Sequence, residues 1–200
     1  MNGDKENSAA WYDRNTQDYI DRTQSVDLSH LHARFLAHVP DGGRLLDAGC
    51  GSGRDSLAFR AMGYNVVPMD ASLAMVNHVS KLLGTDVLHL RHQDVTFIEE
   101  FDGIWSMASM LHVPHSELPN VLERYRRALV PGGVLFASFK HGEGEALIGE
   151  RLFANQNATS FGQVIKGIHG LELMDAWVEQ DRRPGRQDEQ WFSVLCRRSA

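Results

Sequence analysis

The sequence predicts an α/β fold in which helices cover both faces of a mostly parallel sheet. Short apolar runs alternate with segments of helical periodicity from residue 44 to residue 139. A glycine-rich segment, LLDAGCGSGRD at 45–55, follows the first apolar run. Two apolar runs near the end, at 171–181 and 190–198, are separated by a turn and predict an antiparallel hairpin at the sheet edge.

Each element follows from the spacing of its apolar residues. Two helices are predicted ahead of the sheet, at 9–23 and at 27–38, and Pro40 and the glycines after it end the second one. Strands are then predicted at 44–48, 65–69, 87–90, 101–106 and 134–139, and helices at 55–62, 72–83, 116–129 and 161–168. The strand VLFASF at 134–139 is apolar on both faces, as a buried central strand is.

Length and composition limit the classes of protein that fit. With 200 residues and 42% hydrophobic content, the chain predicts a single domain over 1–200 whose first eight residues are disordered. No apolar run reaches membrane-spanning length and the start MNGDKENSAA is unlike a signal peptide, so we expect a cytoplasmic protein. Cys50 and Cys196 are too few for a disulfide framework.

The glycine-rich segment indicates what kind of ligand approaches the backbone. Glycines at 49, 51 and 53 remove the Cβ atoms that would hold a ligand away. A dinucleotide fingerprint needs glycine at 54, where this chain has Arg54, and no Gly-Lys-Ser/Thr follows. Asp47, just ahead of the loop, would repel a pyrophosphate and favour an ammonium group. S-adenosylmethionine has that group and no phosphate, so it fits the segment.

Two further carboxylates match the same cofactor. Asp70 ends the second strand, 21 residues beyond Gly49, where an acid reaches ribose hydroxyls in sheets of this type. The alternative is that Asp70 only caps the helix that starts near Ser72. Asp94 can accept a hydrogen bond from the adenine amino group while Val95 packs on the ring, although loop carboxylates are common by chance.

Five segments together resemble a known family. DAGCGSGRD, PMDAS, HQDV, FDGIWSMASMLHV and LVPGGVLFASF, in this order, resemble the successive motifs of class I S-adenosylmethionine-dependent methyltransferases over roughly residues 40–140. The whole chain resembles small bacterial methyltransferases of the tellurite-resistance-related type. The resemblance implies a Rossmann-like sheet of seven strands with a reversed last strand, a helical lid at 9–40, a cofactor-binding core at 41–140 and an acceptor-side region at 141–200. The predicted cofactor-binding residues are Tyr12, Tyr19, Asp47, Ala48, Gly49, Cys50, Gly51, Gly53, Arg54, Asp70, Ala71, Asp94, Val95 and Met107.

The first helix supplies the aromatic part of that set. In the family, similar helices cover the methionine half of the cofactor, with tyrosine hydroxyls near its carboxylate. Tyr12 and Tyr19 take this role here, and Trp11 beside them either joins them or packs the helix on the sheet. Arg34 and Arg54 either pair with a carboxylate of cofactor or acceptor or form surface ion pairs.

Methyl transfer from a sulfonium needs alignment more than it needs a nucleophilic side chain. Candidate catalytic residues are therefore those expected above the fourth and fifth strand ends, namely His112, Lys140 and His141. His112 is either a general base or a packing residue. Trp191 and Arg183 on the terminal hairpin are expected to reach the same mouth. The histidine spacings do not predict a metal site.

The expected reaction converts S-adenosylmethionine to S-adenosylhomocysteine with a small-molecule acceptor, in a monomer or homodimer that contacts no membrane. The net charge of -6 disfavours nucleic acid, and SMASMLHV lacks the (Asn/Asp)-Pro-Pro-aromatic segment of amino-directed nucleic-acid enzymes. A nucleic-acid or protein methyltransferase, and a non-catalytic module that binds the cofactor, are the alternatives.

Overall fold

The computed structural model describes residues 7–183, 185–186 and 188–200. Within these residues the strands are β1 (Arg44–Ala48), β2 (Asn65–Asp70), β3 (Leu88–His89), β4 (Phe101–Ser106), β5 (Leu129–Lys140), β6 (Glu145–Ile148), β7 (Arg151–Ala154), β8 (Leu171–Gln180) and β9 (Gln190–Arg198). The α-helices are α1 (Asn7–Arg14), α2 (Thr16–Thr23), α3 (Ser29–Leu36), α4 (Arg54–Ala61), α5 (Leu73–Leu83), α6 (Leu118–Ala128) and α7 (Ala158–Ile165).

Seven of the strands form one sheet in the order β3-β2-β1-β4-β5-β9-β8. The five strands from β3 to β5 are parallel, while β9 runs antiparallel to both β5 and β8. This confirms the predicted seven-stranded, mostly parallel sheet with an antiparallel terminal hairpin. The strand order reverses between β1 and β4, so the carboxyl ends of these two strands flank the crevice where sheets of this kind bind ligands.

The first predicted helix is divided in two. The expected helix at 9–23 is α1 followed by α2, because Asn15 leaves the helical conformation at φ -118°. Its Nδ2 donates to the Trp11 carbonyl at 2.8 Å, and such a side-chain bond competes with the backbone ladder. Of the eight residues expected to be disordered, 1–6 lie outside the described residues, whereas Asn7 and Ser8 begin α1.

Other bounds differ from the predictions by a few residues. The helix expected at 27–38 is the shorter α3. The strand expected at 134–139 begins earlier, because Leu129 already pairs with Phe101 before the turn. The helix expected at 161–168 begins at Ala158, since Asn157 caps it by accepting from the Thr159 and Ser160 backbone N–H groups.

A short hairpin, β6 and β7, was not among the predicted elements. It is a two-stranded antiparallel sheet whose Ile148 pairs with Arg151 across a Gly149-Glu150 turn. β7 is tied to α1 because the Leu152 N–H donates to Ser8 Oγ at 3.1 Å. The hairpin therefore lies beside the first helix and above the end of β5.

The core has one layer on each face of the sheet. Under α3 and α4, the rings of Phe35, Phe59 and Trp105 pack against one another with centroid distances between 5.3 and 5.9 Å. On the opposite face, α6 and α7 bury Tyr125 and Phe161 against the sheet. No helix within the described ranges is long and apolar enough to cross a membrane.

Candidate cofactor and acceptor site

The glycine-rich loop between β1 and α4 is folded back on the end of β2. The N–H groups of Gly49 and Cys50 both donate to the Met69 carbonyl, at 2.8 and 2.9 Å. Gly49 and Gly51 have φ of 86° and 51°, in the region that favours glycine. A Cβ on Gly51 would lie 3.2 Å from the Tyr19 ring and hydroxyl. The loop therefore forms a tight backbone bed directly beneath the second helix.

Asp70 lies at the carboxyl end of β2 and joins this loop to α5. Its carboxylate accepts from the Gly51 N–H and the Ser72 N–H, both at 2.9 Å. Burial raises the pKa of Asp70 above its usual value, and the hydrogen bonds from these two backbone donors reduce that rise without cancelling it. Ser72, rather than Asp70, caps α5 by accepting from the Met75 N–H at 3.2 Å. Asp70 therefore orients the loop from a position at the cavity wall.

A smaller cavity of about 80 Å³ lies over the loop. Its floor is backbone of the loop and the end of β2, and its apolar side is Met69, Met75 and Leu90. α1 forms its roof through Ser8, Ala9 and Tyr12. The predicted residues that line it are Tyr12, Tyr19, Gly49, Gly51, Asp70 and Ala71.

Other predicted cofactor residues lie behind the loop. Asp47 is 2% exposed, and its carboxylate accepts from Ser56 Oγ at 2.5 Å. Burial and the charge of nearby Asp55 raise the pKa of Asp47. Ala48 and Cys50 are buried in the core beneath the loop. These three side chains do not line either cavity, because they are directed into packing between β1 and the helices.

Gly53 and Arg54 begin α4. A Cβ on Gly53 would meet Val79 and Leu82 of α5 at 3.0 to 3.2 Å, so this glycine permits helix packing. Arg54 donates through Nε and Nη2 to the two Asp55 oxygens, both at 2.9 Å, and it lines the larger cavity described below. Burial alone would raise the pKa of Asp55, but the hydrogen bond from His32 and the charge of Arg54 bring it below its ordinary value.

The two residues predicted at the adenine do not line a cavity. Asp94 is exposed, and Arg91 donates to its carboxylate through Nε at 2.7 Å. Val95 is 1% exposed in the core. The short 3-10 turn His92–Asp94 turns these side chains away from the loop and instead directs His92 towards it.

His92 is a cavity residue that sequence reasoning did not select, although it opens the HQDV motif. It is 8% exposed, its Nε2 lies 2.8 Å from Ser109 Oγ, and its Nδ1 contacts the Tyr125 hydroxyl. Burial lowers its pKa to about 4, so the ring is neutral at neutral pH. Ser109 in turn fills the space beside Gly49, where a Cβ would lie 1.7 Å from its Oγ.

Tyr12 and His112 form the wall between the smaller cavity and a larger one. The Tyr12 hydroxyl lies 2.9 Å from His112 Nε2, and His112 Nδ1 lies 2.6 Å from the Leu152 carbonyl. Nδ1 must therefore carry the proton, and Nε2 accepts from the tyrosine. Burial lowers the pKa of His112 to about 4 and raises that of Tyr12. Both groups are thus neutral partners at neutral pH.

The larger cavity has a volume of about 480 Å³. Its apolar surface comes from α2, α3, the end of β4 and the β6–β7 hairpin, including Leu28, Leu31, Leu111 and Phe153. Seven lysines and arginines line it against three acids, although the whole chain carries a charge of -6. Its charged lining residues are Arg22, Arg54, Lys140, Arg151, Glu179, Asp181, Arg182, Arg183, Arg186 and Glu189.

Of the three predicted catalytic residues, His112 and Lys140 line this cavity. Lys140 Nζ lies 4.4 Å from the centre of the Trp191 ring and forms ion pairs with Glu189 and, at 3.8 Å, with Asp181. Burial, and secondly Arg183, lower the pKa of Lys140 to about 8. His141 does not join them: it is exposed beyond the end of β5, and its N–H donates to the Gln190 carbonyl at 2.9 Å.

The remaining predicted residues divide between the cavity and the surface. Arg183 and Trp191 line the larger cavity, where they were expected, and Met107, which was expected at the cofactor, lines it too. Arg34 does not: it forms an ion pair with Asp175 and stacks 3.6 Å from the Trp177 ring centre. No group of three or more His, Cys, Asp or Glu side chains within the part of the chain described here is arranged to hold a metal ion.

Comparison with known proteins identifies the family. A family model described as a methyltransferase domain matches residues 45–133. A cypemycin N-terminal methyltransferase from a Streptomyces species is 31% identical over 172 residues, which cover 75% of this chain and 70% of that protein. The chain is a class I S-adenosylmethionine-dependent methyltransferase.

A second curated relative is similar over a shorter region. A malonyl-[acyl-carrier protein] O-methyltransferase from Erwinia pyrifoliae is 36% identical over 118 residues, which cover 54% of this methyltransferase and 43% of the relative. The chain thus spans less than half the length of that protein. Both relatives are methyltransferases, and the cofactor of the family is S-adenosylmethionine, which the glycine-rich segment predicts.

Solved structures share the fold of this methyltransferase. A 1,6-didemethyltoxoflavin-N1-methyltransferase from Burkholderia thailandensis, solved with S-adenosylhomocysteine, has a TM-score of 0.78 at 18% identity and covers 96% of this chain and 87% of its own. A TehB-like methyltransferase from Corynebacterium glutamicum has a TM-score of 0.68 at 20% identity, with 96% and 98% coverage. The expected likeness to the tellurite-resistance-related type is therefore confirmed at the level of the fold.

Proposed function

We propose that this enzyme methylates a small-molecule acceptor by in-line transfer, with S-adenosylmethionine over the glycine-rich loop and the acceptor in the larger cavity. The observation that carries the proposal is that the two cavities share one wall, made by Tyr12, Tyr19, Ala108 and His112. An in-line displacement needs donor and acceptor on opposite sides of the moving methyl group. A shared wall between two cavities provides those two sides.

The smaller cavity fits the cofactor by the chemistry of its lining. S-adenosylmethionine supplies, when bound, an electrophilic methyl group on a sulfonium. Gly49 and Gly51 line this cavity without side chains, and Asp70 offers a carboxylate to the two sugar hydroxyls. The apolar side at Met69, Ala71 and Leu90 suits the adenine ring.

Tyr19 and Arg54 are the proposed contacts of the amino-acid end. Tyr19 lines both cavities, and Arg54 lines the larger one beside it. Arg54 is held by Asp55, which itself receives the Trp105 Nε1–H at 2.9 Å. A guanidinium fixed in this way is pre-oriented for a carboxylate, so its side-chain entropy is already lost before the ligand arrives.

The roof over the smaller cavity must move for the cofactor to enter, because about 80 Å³ is far less than the 300–1,000 Å³ of typical ligand sites. α1 is the element that can do this. It is held by Asp13, whose Oδ1 accepts from Ser72 Oγ at 2.6 Å and from the Ala74 N–H at 3.0 Å. The first helix is proposed to open, admit the cofactor and close again over its methionine half.

The protein contributes alignment and exclusion of water, which are worth about 7–11 kcal/mol in well-oriented reactions. With α1 closed, the hydrogen bond between Tyr12 and His112 holds the tyrosine beside the point where the two cavities adjoin. Met107 and Leu111 give the acceptor side an apolar surface. A cavity of about 480 Å³ is of small-molecule size.

Incubation with methyl-labelled S-adenosylmethionine and a panel of small acids, phenols, thiols and amines tests the proposal. Labelled small-molecule product, together with calorimetric binding of the cofactor, is the expected result. Cofactor binding without any labelled small molecule would contradict the proposal, and the absence of label from macromolecules as well would favour the non-catalytic alternative.

A protein or peptide acceptor is the second candidate. It is favoured by the names of the two curated relatives, one of which acts on a peptide N-terminus and the other on an acyl-carrier-protein substrate. Label transferred to a macromolecular fraction, with none in the small acceptors, is the outcome that would select it.

A further inference from the structure

Arg151 differs from the other cations on the wall of the larger cavity. It lies at the start of β7, and its guanidinium carbon is 3.9 Å from the centre of the Trp11 ring and 5.0 Å from that of Phe153. Its Nε is buried and has no hydrogen-bond partner. Among the described residues no carboxylate forms an ion pair with it, and the adjacent Glu150 pairs with Arg14 instead.

The neighbouring cations are already neutralised. Within the described ranges, Arg54 pairs with Asp55, Lys140 with Glu189, and Arg183 with Asp181. Arg182 is exposed to solvent, whereas Arg151 is only partly accessible. A partly buried guanidinium without a carboxylate costs free energy unless an anion joins it. Since Arg54 is the proposed contact of the cofactor carboxylate, Arg151 is the cation on this wall that is available to an acceptor.

The same wall offers no free base to remove a proton from the acceptor. Both ring nitrogens of His112 are hydrogen-bonded, Nε2 to the Tyr12 hydroxyl and Nδ1 to the Leu152 carbonyl. His30 turns Nε2 to Glu179 at 2.8 Å, and its Nδ1 is buried without a hydrogen-bond partner, so that nitrogen is closed to an incoming acceptor.

The acids and the lysine on this wall are engaged in the same way. Asp181 accepts from Arg183 and from Trp191 Nε1 at 3.0 Å. Lys140 and Arg186 both pair with Glu189. An acceptor that must lose a proton during the reaction therefore has no side chain on this wall ready to take it.

We infer that the acceptor is a small carboxylic acid with an apolar body, that Arg151 binds its carboxylate, and that this carboxylate is the group methylated. This deepens the function proposed above and rests on it. A carboxylate is ionised at neutral pH, so it needs no base, and its planar oxygens match the fork of a guanidinium. The apolar residues around Leu28 and Phe153 receive the rest of the molecule.

The step is balanced without a proton. One carboxylate oxygen forms a bond to the methyl carbon, the bond between that carbon and the sulfonium sulfur breaks, and its electron pair stays on sulfur. The products are a neutral methyl ester and neutral S-adenosylhomocysteine. The ester no longer pairs with Arg151 as an anion, which favours its release.

Binding tests the anchor independently of turnover. Titration of the enzyme saturated with S-adenosylhomocysteine should show 3-phenylpropionate binding at least about tenfold tighter than 3-phenylpropionamide. Arg151→Met should weaken 3-phenylpropionate by about 10- to 100-fold, and Arg151→Lys by less, because lysine keeps the charge without the fork. Arg34→Met, which removes an exposed cation that pairs with Asp175 outside the cavity lining, is the matched control and should change nothing.

Two results would overturn the anchor. One is equal affinity for the acid and its amide. The other is a loss of S-adenosylhomocysteine affinity in Arg151→Met, which would show that this guanidinium serves the cofactor. Unchanged S-adenosylhomocysteine affinity and thermal midpoint in that variant show that it is folded.

Product chemistry tests the methylated atom. With labelled donor, the product from 3-phenylpropionate should release labelled methanol in alkali, as an ester does. Label that transfers only to phenol, thiol or amine probes and resists alkali would overturn the inference while the proposed function stands. Absence of label in every small molecule, although the cofactor binds, would remove both.

Discussion

The two cavities are built in different ways. The cofactor side consists of backbone from one loop and from the ends of neighbouring strands, tied by hydrogen bonds such as Gly51 to Asp70 and Gly49 to Met69. The acceptor side gathers charged side chains from α2, the end of β5, the β6–β7 hairpin and the β8–β9 turn. The cofactor side therefore depends on backbone conformation. The acceptor side depends on its ion pairs and on which cation has no carboxylate partner. Substitutions on the two sides should therefore fail in different ways.

The largest effect is expected for Gly51→Val. The added side chain would meet Tyr19 at 3.2 Å, and valine is strained at a φ of 51°. Calorimetry should detect no binding of S-adenosylmethionine, while the circular dichroism spectrum stays that of the native fold. Gly63→Val is the matched control, since Gly63 has a φ of 92° and nothing within 4 Å of its Cβ position. If both variants lost binding equally, the cause would be backbone strain at a glycine position and not the position of Gly51 in the cofactor loop.

Low pH should destabilise the cofactor side through His92. Its pKa is about 4 in the folded chain against an ordinary 6.5, a difference worth about 3 kcal/mol. Between those pH values the unfolded chain binds a proton that the folded chain does not, so stability falls as the pH falls from about 6.5 to 4. Urea unfolding at pH 7.5 and 5.0 should show a shallower fall for His92→Asn. The exposed His169→Asn serves as control, and parallel falls for all three proteins would contradict the assignment.

Asp70→Ala should weaken S-adenosylmethionine binding by about 1–3 kcal/mol through lost charge-assisted hydrogen bonds. Asp94→Ala separates the two acids named by the family resemblance. Asp94 is exposed and paired with Arg91, so its removal should leave the affinity unchanged. A loss for Asp94→Ala as large as that for Asp70→Ala would place the adenine against residue 94 after all.

The smallest effect is expected at the roof. Asp13→Ala removes the two hydrogen bonds that hold α1 on the N-terminus of α5, at a cost of about 1 kcal/mol. Hydrogen exchange should accelerate in residues 7–14, with a several-fold weaker cofactor affinity. Asp18→Ala, which breaks only an exposed pair with Arg22, is the control. Unchanged exchange in Asp13→Ala would show that other contacts hold the roof.

Much of the cofactor side could be predicted from sequence because its parts are local. The glycines, the strand before them and Asp70 occur in motifs whose spacing fixes the geometry. His92 was not predicted as a site residue because Asp94, in the same motif, matched the expected adenine contact. The 3-10 turn determines which of the two side chains faces the loop, and the sequence does not show that turn. Asp47 was predicted to contact the cofactor, but its carboxylate accepts from Ser56 within the core. A carboxylate at a strand end can face the packed interior as well as a site, and the sequence does not distinguish the two.

The acceptor side was less accessible to sequence reasoning. Arg151 lies on a hairpin that was missed, although Ile148-Gly149-Glu150-Arg151 carries a two-residue glycine turn between apolar runs, which is a hairpin signal. Arg151 is available because the adjacent Glu150 pairs with Arg14 and because Trp11 stacks against the Arg151 guanidinium. Arg14 and Trp11 are more than one hundred residues away in the sequence. Pairings across such separations follow from packing, which local pattern does not encode.

A crystal structure of the complex with S-adenosylhomocysteine would show which of the two cavities holds the cofactor. In the expected arrangement, the sugar hydroxyls lie on Asp70 and the sulfur lies against the wall formed by Tyr12, Ala108 and His112, facing the larger cavity. A nucleoside lying in the larger cavity against Arg151, with the loop over Gly49 and Gly51 uncontacted, would contradict it.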